Sequence, residues 1–348
     1  MSGRQQLTFA AVFAVAVLAV LLRVAGIAEQ LIFVVSGLAV AGLAWALGEA
    51  TDQAGETAGP RVSALLNASF GNLPELVIIV LAIDAGLSDI ARASIVGSVI
   101  GNILLILGLS LLVGGRRHGI QQFNERIASM NSSMLLLGVI GVGIPTLFYA
   151  VEHDLGNERV LSRCTAAALL LCYVAYLRFS LTTPSLQFAH EPGEASWTRR
   201  QAVLLLAATA VATGVVSELL VHSIEPTVRA WGVPRIFIGL VIVPFIGNVA
   251  EHYSAVRLAH RNSMDFSMGI AYGSGIQIVL AATSIAVFAS IALGRELSLV
   301  FPPLELAALA VAAVISTAIS RGGETNWLEG LQLLAIYAVI AAAFWLLG

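Results

Sequence analysis

Charge is scarce in this chain, and that scarcity decides its class. Only 11% of its 348 residues are charged, lysine is absent, and 58% of the residues are hydrophobic. Mean hydropathy is +0.90. Soluble domains carry about 25% charged residues, so the composition excludes a soluble protein and predicts one embedded in the lipid bilayer. The net charge of −3 gives no indication of nucleic-acid binding, and no nucleic-acid partner is expected.

Cysteine is nearly absent too. Cys164 and Cys172 lie eight residues apart in one apolar stretch, which favours packing residues over a disulfide or a metal pair. The sequence has no HExxH motif, and no histidine-bearing span supplies a recognisable serine nucleophile partner. Neither an intramembrane enzyme nor a bound cofactor is therefore expected.

Long apolar windows fill the chain. A bilayer-spanning helix needs about 20 mostly apolar residues. Eleven windows meet this length: 7–26, 29–48, 62–83, 90–113, 130–151, 160–182, 201–222, 235–258, 266–293, 299–319 and 327–347. The first is followed by no small-x-small cleavage site, so it is predicted to be a retained span. The connections are short, which places the function inside the membrane.

The arginines give an orientation. With the N-terminus in the cytosol, eleven of the eighteen fall on the inner side and seven on the outer side. The positive-inside rule then favours a cytosolic N-terminus and an external C-terminus. We expect a multi-pass protein of the cell (inner) membrane. The oligomeric state cannot be read from these features.

Two segments repeat each other at an offset of 176. "GNLPEL" at 71–76 is answered by "GNVAEH" at 247–252, and "GSVIGN" at 97–102 by "GSGIQI" at 273–278. Asp89 and Asp265 also match, and each is predicted to cap the N-terminus of a helix. Superposing 71–105 on 247–281 without gaps gives nine identities. The matches among Gly, Asn, Glu, Asp and Ser indicate an internal duplication.

The duplication predicts the topology. Five crossings separate the two copies, and an odd number inverts the second relative to the first. The prediction is an all-α polytopic membrane protein of about eleven helices, with one extra span (1–26), repeat A (27–182), a cytosolic linker (183–199) and repeat B (200–348). Inverted repeats place a transporter's substrate near the midplane, at discontinuous helices.

Glu75 and Glu251 carry the chemistry of the two copies. A charge at the bilayer centre costs at least ~2.5 kcal/mol on insertion scales, so such residues are functional by default. Asn72 and Asn248 each precede the acid by three residues, which puts amide and carboxylate on one helix face. Pro74 removes a backbone donor and is expected to free the carbonyl of Phe70.

Small and polar residues accompany the acids. Gly71 and Gly247 allow the backbone to bend or a helix to approach closely. Gly97 and Gly101, and likewise Gly269 and Gly273, have a spacing that permits tight helix packing. Further oxygens come from Ser98, Asn102, Ser274 and Gln277. These four could instead hold helices together by hydrogen bonding, but the matching pair Ser98 and Ser274 favours a site.

Two carboxylates facing one cavity repel each other. Protons can neutralise them, and so can one divalent cation, but not both at once. Ligation by oxygens alone suits a hard cation such as Ca²⁺ and suits Zn²⁺ poorly. This mutual exclusion is the physical basis of antiport.

Several motifs in order resemble one known family. "LLNASFGNLPELVIIVLA", "GSVIGNILLILG", "VVSELLVHSIEP", "IVPFIGNVAEHYSA" and "AYGSGIQI" resemble the cation/proton exchangers (CAX family) of the calcium/cation antiporters, from about residue 45 to 290. The resemblance implies one span plus two inverted five-helix repeats, and export of Ca²⁺ in exchange for H⁺. It implies an exchange site of Glu75, Glu251, Asn72 and Asn248. Sodium/calcium relatives usually carry Thr-Ser where this chain has Gly-Asn, which argues against Na⁺ as the counter-ion.

The resemblance also extends to residues outside this site. Asp52 and Glu218 match acidic positions that serve cation and proton access paths, although either could be an exposed acid at a helix end. His252 matches a family histidine that could relay protons or hydrogen-bond a neighbour. Family members often have a strongly acidic linker, but here it holds only Glu191 and Glu194, so a Ca²⁺-sensing role for it is not expected.

Two alternatives to Ca²⁺/H⁺ exchange remain at this stage. One is exchange driven by Na⁺ or K⁺, or a substrate such as Mn²⁺. The other is a passive cation channel, which would also need acidic residues at the midplane but which inverted repeats disfavour.

Overall fold

The computed structural model describes residues 1–182 and 197–347. The predicted linker, with Glu191 and Glu194, lies outside the described residues except for 197–199. Helices built from the apolar windows dominate the first half. They are α1 (Gly3–Val24), α2 (Glu29–Ala58), α3 (Pro60–Phe70), α4 (Leu73–Asp84), α5 (Ser88–Ile100), π1 (Gly101–Ile106, a π-helical segment), α6 (Leu107–His118), α7 (Glu125–Glu152) and α8 (Leu155–Thr182).

The second half has the same character. It comprises α9 (Arg199–Trp231), α10 (Arg235–Phe237), π2 (Ile238–Ile242), α11 (Val243–Gly247), α12 (Val249–His260), α13 (Met264–Ile276), π3 (Gln277–Ala282), α14 (Thr283–Ala292), α15 (Pro303–Ile319) and α16 (Trp327–Leu346). A two-residue antiparallel pair, β1 (Gln121–Gln122) with β2 (Glu324–Thr325), joins the two halves outside the helices.

Nine or ten of the eleven predicted spans are candidate membrane spans in the described ranges. Nine segments are long and apolar enough to cross a bilayer, and the bent pair 235–247 with 249–260 makes a tenth if it is one span. The window 299–319 contains only α15, an apolar helix of 17 residues. The prediction of an all-α polytopic membrane protein is confirmed.

The two copies share element bounds at the offset of the sequence repeat. The pairs α4 and α12, α5 and α13, and π1 and π3 have equal lengths and begin 176 residues apart. Each π segment follows its helix at the same place, and extra-wide turns of this kind often lie at functional sites. This agreement supports the duplication, while the division into two five-helix repeats stays a prediction.

Each copy contains a helix break next to its acid. The first lies at Gly71 and Asn72, between α3 and α4, and the second at Asn248, between α11 and α12. The chain bends by 62° at the second break. The N-termini of α4 and α12 lie next to each other, since Glu75 in α4 packs against Gly247 at the break before α12. The predicted inversion of the second copy would direct the two helices toward opposite membrane surfaces.

Pro74 does not cause the sharper bend. It lies in the first turn of α4, where the backbone amide would have no helical partner in any case. Phe70 ends α3, so its carbonyl lies at a helix C-terminus whether or not the proline is present. The 62° bend occurs in the copy that has Ala250 at the equivalent position.

The predicted caps at Asp89 and Asp265 are wrong. The capping positions are held by Leu87 and Ser263, and both aspartates lie within the first helical turn. Their carboxylates make tertiary contacts instead: Arg235 Nη2 lies 3.2 Å from Asp89 Oδ1, and the Asn124 backbone N–H donates to Asp265 Oδ1 at 2.5 Å. Both acids therefore join neighbouring elements.

Alanine substitutions at two equivalent glycines, Gly97 and Gly273, are expected to affect stability differently. A Cβ on Gly97 would overlap the Leu240 carbonyl group, whereas a Cβ on Gly273 would meet no atom within 4 Å in the part of the chain that is described. Overpacking a buried contact costs about 1–3 kcal/mol. Thermal unfolding of the purified protein in detergent should show a lower Tm for Gly97→Ala and an unchanged or slightly higher one for Gly273→Ala. Equal shifts would mean that α5 and π2 do not pack this closely.

Candidate cation site

The two helix breaks bring both predicted acids to one place. Glu75 lies in the first turn of α4 and Glu251 in the first turn of α12. Glu75 is only 4% exposed, and Glu251 is half-buried. Glu75 packs against Gly247, which ends α11 beside the break from which α12 and Glu251 begin. The structure therefore brings the two acids to the same break region.

The Glu75 side chain packs against Gly247. A Cβ at this position would lie 2.7 Å from Glu75 Oε1 and 2.9 Å from Glu75 Cδ. The glycine thus allows the close approach that the sequence suggested. It belongs to the second copy, so the acid of one copy packs on the backbone break of the other.

Ser274 is the centre of a hydrogen-bonded cluster that joins the copies. Asn102 Nδ2 donates to Ser274 Oγ at 2.8 Å. The Ser274 hydroxyl lies 2.8 Å from Asn72 Oδ1 and 2.9 Å from Glu251 Oε2. Asn72 Nδ2 in turn donates to Gln277 Oε1 at 2.6 Å. Four predicted polar residues are therefore linked in one cluster, which reaches Glu251 through Ser274.

The surroundings of Glu75 differ. Asn248 donates through Nδ2 to the Pro244 carbonyl at 2.8 Å, within its own helix. Several buried oxygens accept no hydrogen bond from any described residue: Glu75 Oε1, Glu75 Oε2, Ser98 Oγ, Asn248 Oδ1 and Asn102 Oδ1. An unsatisfied buried polar group costs about 1–3 kcal/mol, so a cation bound by these oxygens would offset that cost.

The donor set fits a hard cation. It consists of carboxylate, amide and hydroxyl oxygens, which are the ligands that Ca²⁺ takes. Within residues 1–182 and 197–347 there is no cluster of three or more His, Cys, Asp or Glu side chains that could hold a metal. The candidate cation site in this part of the chain therefore consists of two acids and neutral oxygens.

The remaining predicted residues lie around this site. Gly71 packs beside Asn67 and Gln277, since a Cβ there would lie 3.6 Å from Gln277 Oε1. Phe70, at the end of α3, is half-buried. The His252 ring packs against Phe245, with 5.3 Å between ring centroids. A proton relay through His252 stays a prediction.

The two access-path residues lie on helices that pack against each other. Asp52 is half-buried on α2, and Glu218 is exposed on α9. His222 Nδ1 contacts the Glu218 backbone carbonyl at 2.8 Å, which leaves the Glu218 carboxylate out of that contact. Both helices contact α4 or α12. The roles of Asp52 and Glu218 in ion access stay predictions.

Sequence reasoning missed the central position of Ser274 and the Pro244 carbonyl that binds Asn248. The repeat match between Ser98 and Ser274 carried part of the signal. It did not show that one serine would be surrounded by partners and the other not.

Comparison with known proteins assigns this chain to a family. The family model described as sodium/calcium exchanger protein matches residues 29–182 and 201–346. The chain belongs to this family. Its resemblance to the cation/proton exchangers among the calcium/cation antiporters is confirmed by the relatives that it matches.

Two of these relatives are bacterial. The "Ca(2+)/H(+) antiporter" of Aphanothece halophytica is 37% identical over 339 residues, which is 91% of this chain and 90% of the relative. The "Ca(2+)/H(+) antiporter ChaA" of Bacillus subtilis (strain 168) is 36% identical over 92% of this chain and 93% of the relative. The solved structure of native YfkE superposes with a TM-score of 0.86 at 35% identity, covering 97% of this chain and 99% of that one.

Proposed function

We propose that this chain is a secondary active Ca²⁺/H⁺ antiporter that exports Ca²⁺ from the cytosol by alternating access. The observation that carries the proposal is the buried Glu75 carboxylate, whose two oxygens accept no hydrogen bond from any other described residue and which packs against Gly247 at the break that leads to Glu251. The names of the matched bacterial relatives support it. These relatives are antiporters, and we infer a transporter rather than an enzyme.

Exclusive occupancy follows from electrostatics. Two ionised carboxylates in a low-dielectric site repel each other, and each also loses hydration. Protons remove both costs by neutralising the acids, and a divalent cation removes them by attracting both. Because the same oxygens serve both ligands, Ca²⁺ can enter only as protons leave.

The neutral oxygens complete the proposed site. Carboxylates alone cannot supply the six to eight oxygens that Ca²⁺ takes. The remainder would come from among the amides, hydroxyls and backbone carbonyls near the two breaks: Asn72, Asn248, Ser98, Asn102, Ser274, Gln277 and the carbonyls of Phe70, Gly71 and Gly247. Breaks of this kind are tolerated at membrane depth where they line a cavity. Asp52 and Glu218 are proposed to attract cations or protons along the access paths.

The main alternative is an exchanger driven by Na⁺ or K⁺, and a passive channel is a further one. The Gly-Asn that precedes both acids favours protons over Na⁺ as the counter-ion. A channel needs a continuous open path, whereas the breaks here lie among buried residues. We therefore rank the Ca²⁺/H⁺ antiporter first.

Purified protein in liposomes tests the proposal. ⁴⁵Ca²⁺ uptake should begin when the lumen is made acidic relative to the bath, and it should stop when a protonophore collapses the gradient. An imposed Na⁺ or K⁺ gradient at equal pH should not drive uptake. Uptake that follows Na⁺ or K⁺ would establish the alternative exchanger, and uptake without any counter-ion gradient would establish a channel.

A further inference from the structure

The two copies differ at the positions that supply amide side chains. Asn102 in π1 corresponds to Ile278 in π3, and Gln277 in π3 corresponds to Gly101 in π1. Besides the matched pair Asn72 and Asn248, each copy thus contributes one further amide, but at different positions. Both amides reach the same place, since Asn102 bonds Ser274 and Gln277 bonds Asn72.

The amides make the two halves of the site chemically unequal. We call Asn72, Ser274 and Glu251 the bonded half-site, because Ser274 Oγ lies within hydrogen-bond distance of both Asn72 Oδ1 (2.8 Å) and Glu251 Oε2 (2.9 Å) and donates its one proton to one of them at a time. We call the equivalent residues Asn248, Ser98 and Glu75 the open half-site. Among the described residues, none donates to Asn248 Oδ1, Ser98 Oγ or either Glu75 oxygen.

A cation would meet these halves differently. Ligation by Asn72 Oδ1 or Ser274 Oγ must replace hydrogen bonds that already exist, whereas the open half-site offers oxygens that have none to lose. Gly101 and Ile278 cannot donate side-chain hydrogen bonds, so the open half-site has no equivalent of the Asn102 and Gln277 contacts.

We propose that Ca²⁺ is first captured by the open half-site, and that at this step Asn102 and Gln277 are positioning residues, not ligands: their amides hold Asn72 and Ser274 in place on the other side of the site. This inference rests on the proposed Ca²⁺/H⁺ exchange at the same site and adds an order to it. The open half-site sets the affinity for Ca²⁺. The bonded half-site changes its hydrogen bonds afterwards, when the occupied site reorients.

Matched substitutions in equivalent positions test the order. Ser98→Ala and Asn248→Ala should raise the KM for Ca²⁺ by about fivefold or more with kcat nearly kept, whereas Ser274→Ala and Asn72→Ala should mainly lower kcat. The equivalent pairs are Ser98 with Ser274 and Asn248 with Asn72. The proposal is refuted if both members of a pair change the same constant equally, or if the open half-site variants lower kcat while the bonded half-site variants raise KM.

Moving the amides provides a second test. Gly101→Gln with Ile278→Asn gives the open half-site the donors that it lacks, and a Cβ on Gly101 would meet no described atom within 4 Å. The double variant should raise KM as Ser98→Ala does, and an unchanged KM would contradict the inference.

The dependence of Tm on Ca²⁺ measures binding without transport: a Ca²⁺-induced rise in Tm should be smaller for Ser98→Ala than for Ser274→Ala.

These outcomes are separable from failure of the proposed function. If the unaltered protein shows no proton-driven Ca²⁺ uptake, the proposed function fails. If it transports and each pair of variants behaves alike, the proposed function stands and the unequal half-sites do not.

Discussion

Glu75→Gln and Glu251→Gln should each abolish proton-driven ⁴⁵Ca²⁺ uptake into liposomes, a loss of at least about a hundredfold. Each substitution keeps the size of the side chain but removes a charge that Ca²⁺ needs and a proton-binding group that the return step needs. An interaction with a divalent ion in a desolvated site is far stronger than one in water, where two unit charges at 4 Å gain about 1 kcal/mol. No neighbouring neutral oxygen replaces that charge.

Glu324→Gln is the matched control for this experiment. Glu324 is exposed in β2, away from both helix breaks, and its substitution should leave uptake unchanged. Persisting uptake in both site variants would contradict the assignment of Glu75 and Glu251 as the groups that bind Ca²⁺ and protons. Loss of uptake in one variant alone would show that a single carboxylate suffices for exchange.

Gly247→Ala is expected to be nearly as damaging, although it removes no polar group. The added methyl would lie 2.7 Å from Glu75 Oε1 and 2.9 Å from Glu75 Cδ, so the carboxylate must move away from the place where the copies meet. Displacements of this order at a reacting group cost on the order of a hundredfold in rate. We expect a large rise in the KM for Ca²⁺, measured by initial uptake rates.

Gly101→Ala supplies the comparison for that variant. It adds the same methyl to a glycine of π1 with no described atom within 4 Å, and uptake should stay near that of the unaltered protein. If both alanine variants lower uptake equally, backbone freedom rather than contact with Glu75 is what Gly247 provides.

Sequence alone predicted the spans, the duplication and the two acids. The apolar windows are long because the bilayer requires it, and Glu75 and Glu251 stand out because hydrocarbon makes ionised groups costly. The offset of 176 could be read from polar identities, and it reappears in the bounds of paired helices and π segments. The spans and the acids follow from local composition, and the duplication follows from the spacing of matching residues. Both can be read from a single sequence.

The details of the site could not be predicted in the same way. Pro74 was expected to free the Phe70 carbonyl, but a proline in the first turn of a helix is compatible with that helix, and the Phe70 carbonyl lies at the C-terminus of α3 in any case. The caps at Asp89 and Asp265 were wrong because tertiary partners used both carboxylates. The contacts of Ser274 join residues as far as 202 positions apart, and only the packed structure shows which of two equivalent serines receives them.

The meeting of two helix N-termini in the bilayer has a consequence for how voltage acts on the protein. Each terminus contributes roughly half a positive charge, so with both carboxylates ionised the site holds about one net negative charge. Two protons or one Ca²⁺ each change it by the same amount, to about one net positive charge. The two occupied forms are then electrically alike, and a membrane potential would favour neither as the site turns from one surface to the other.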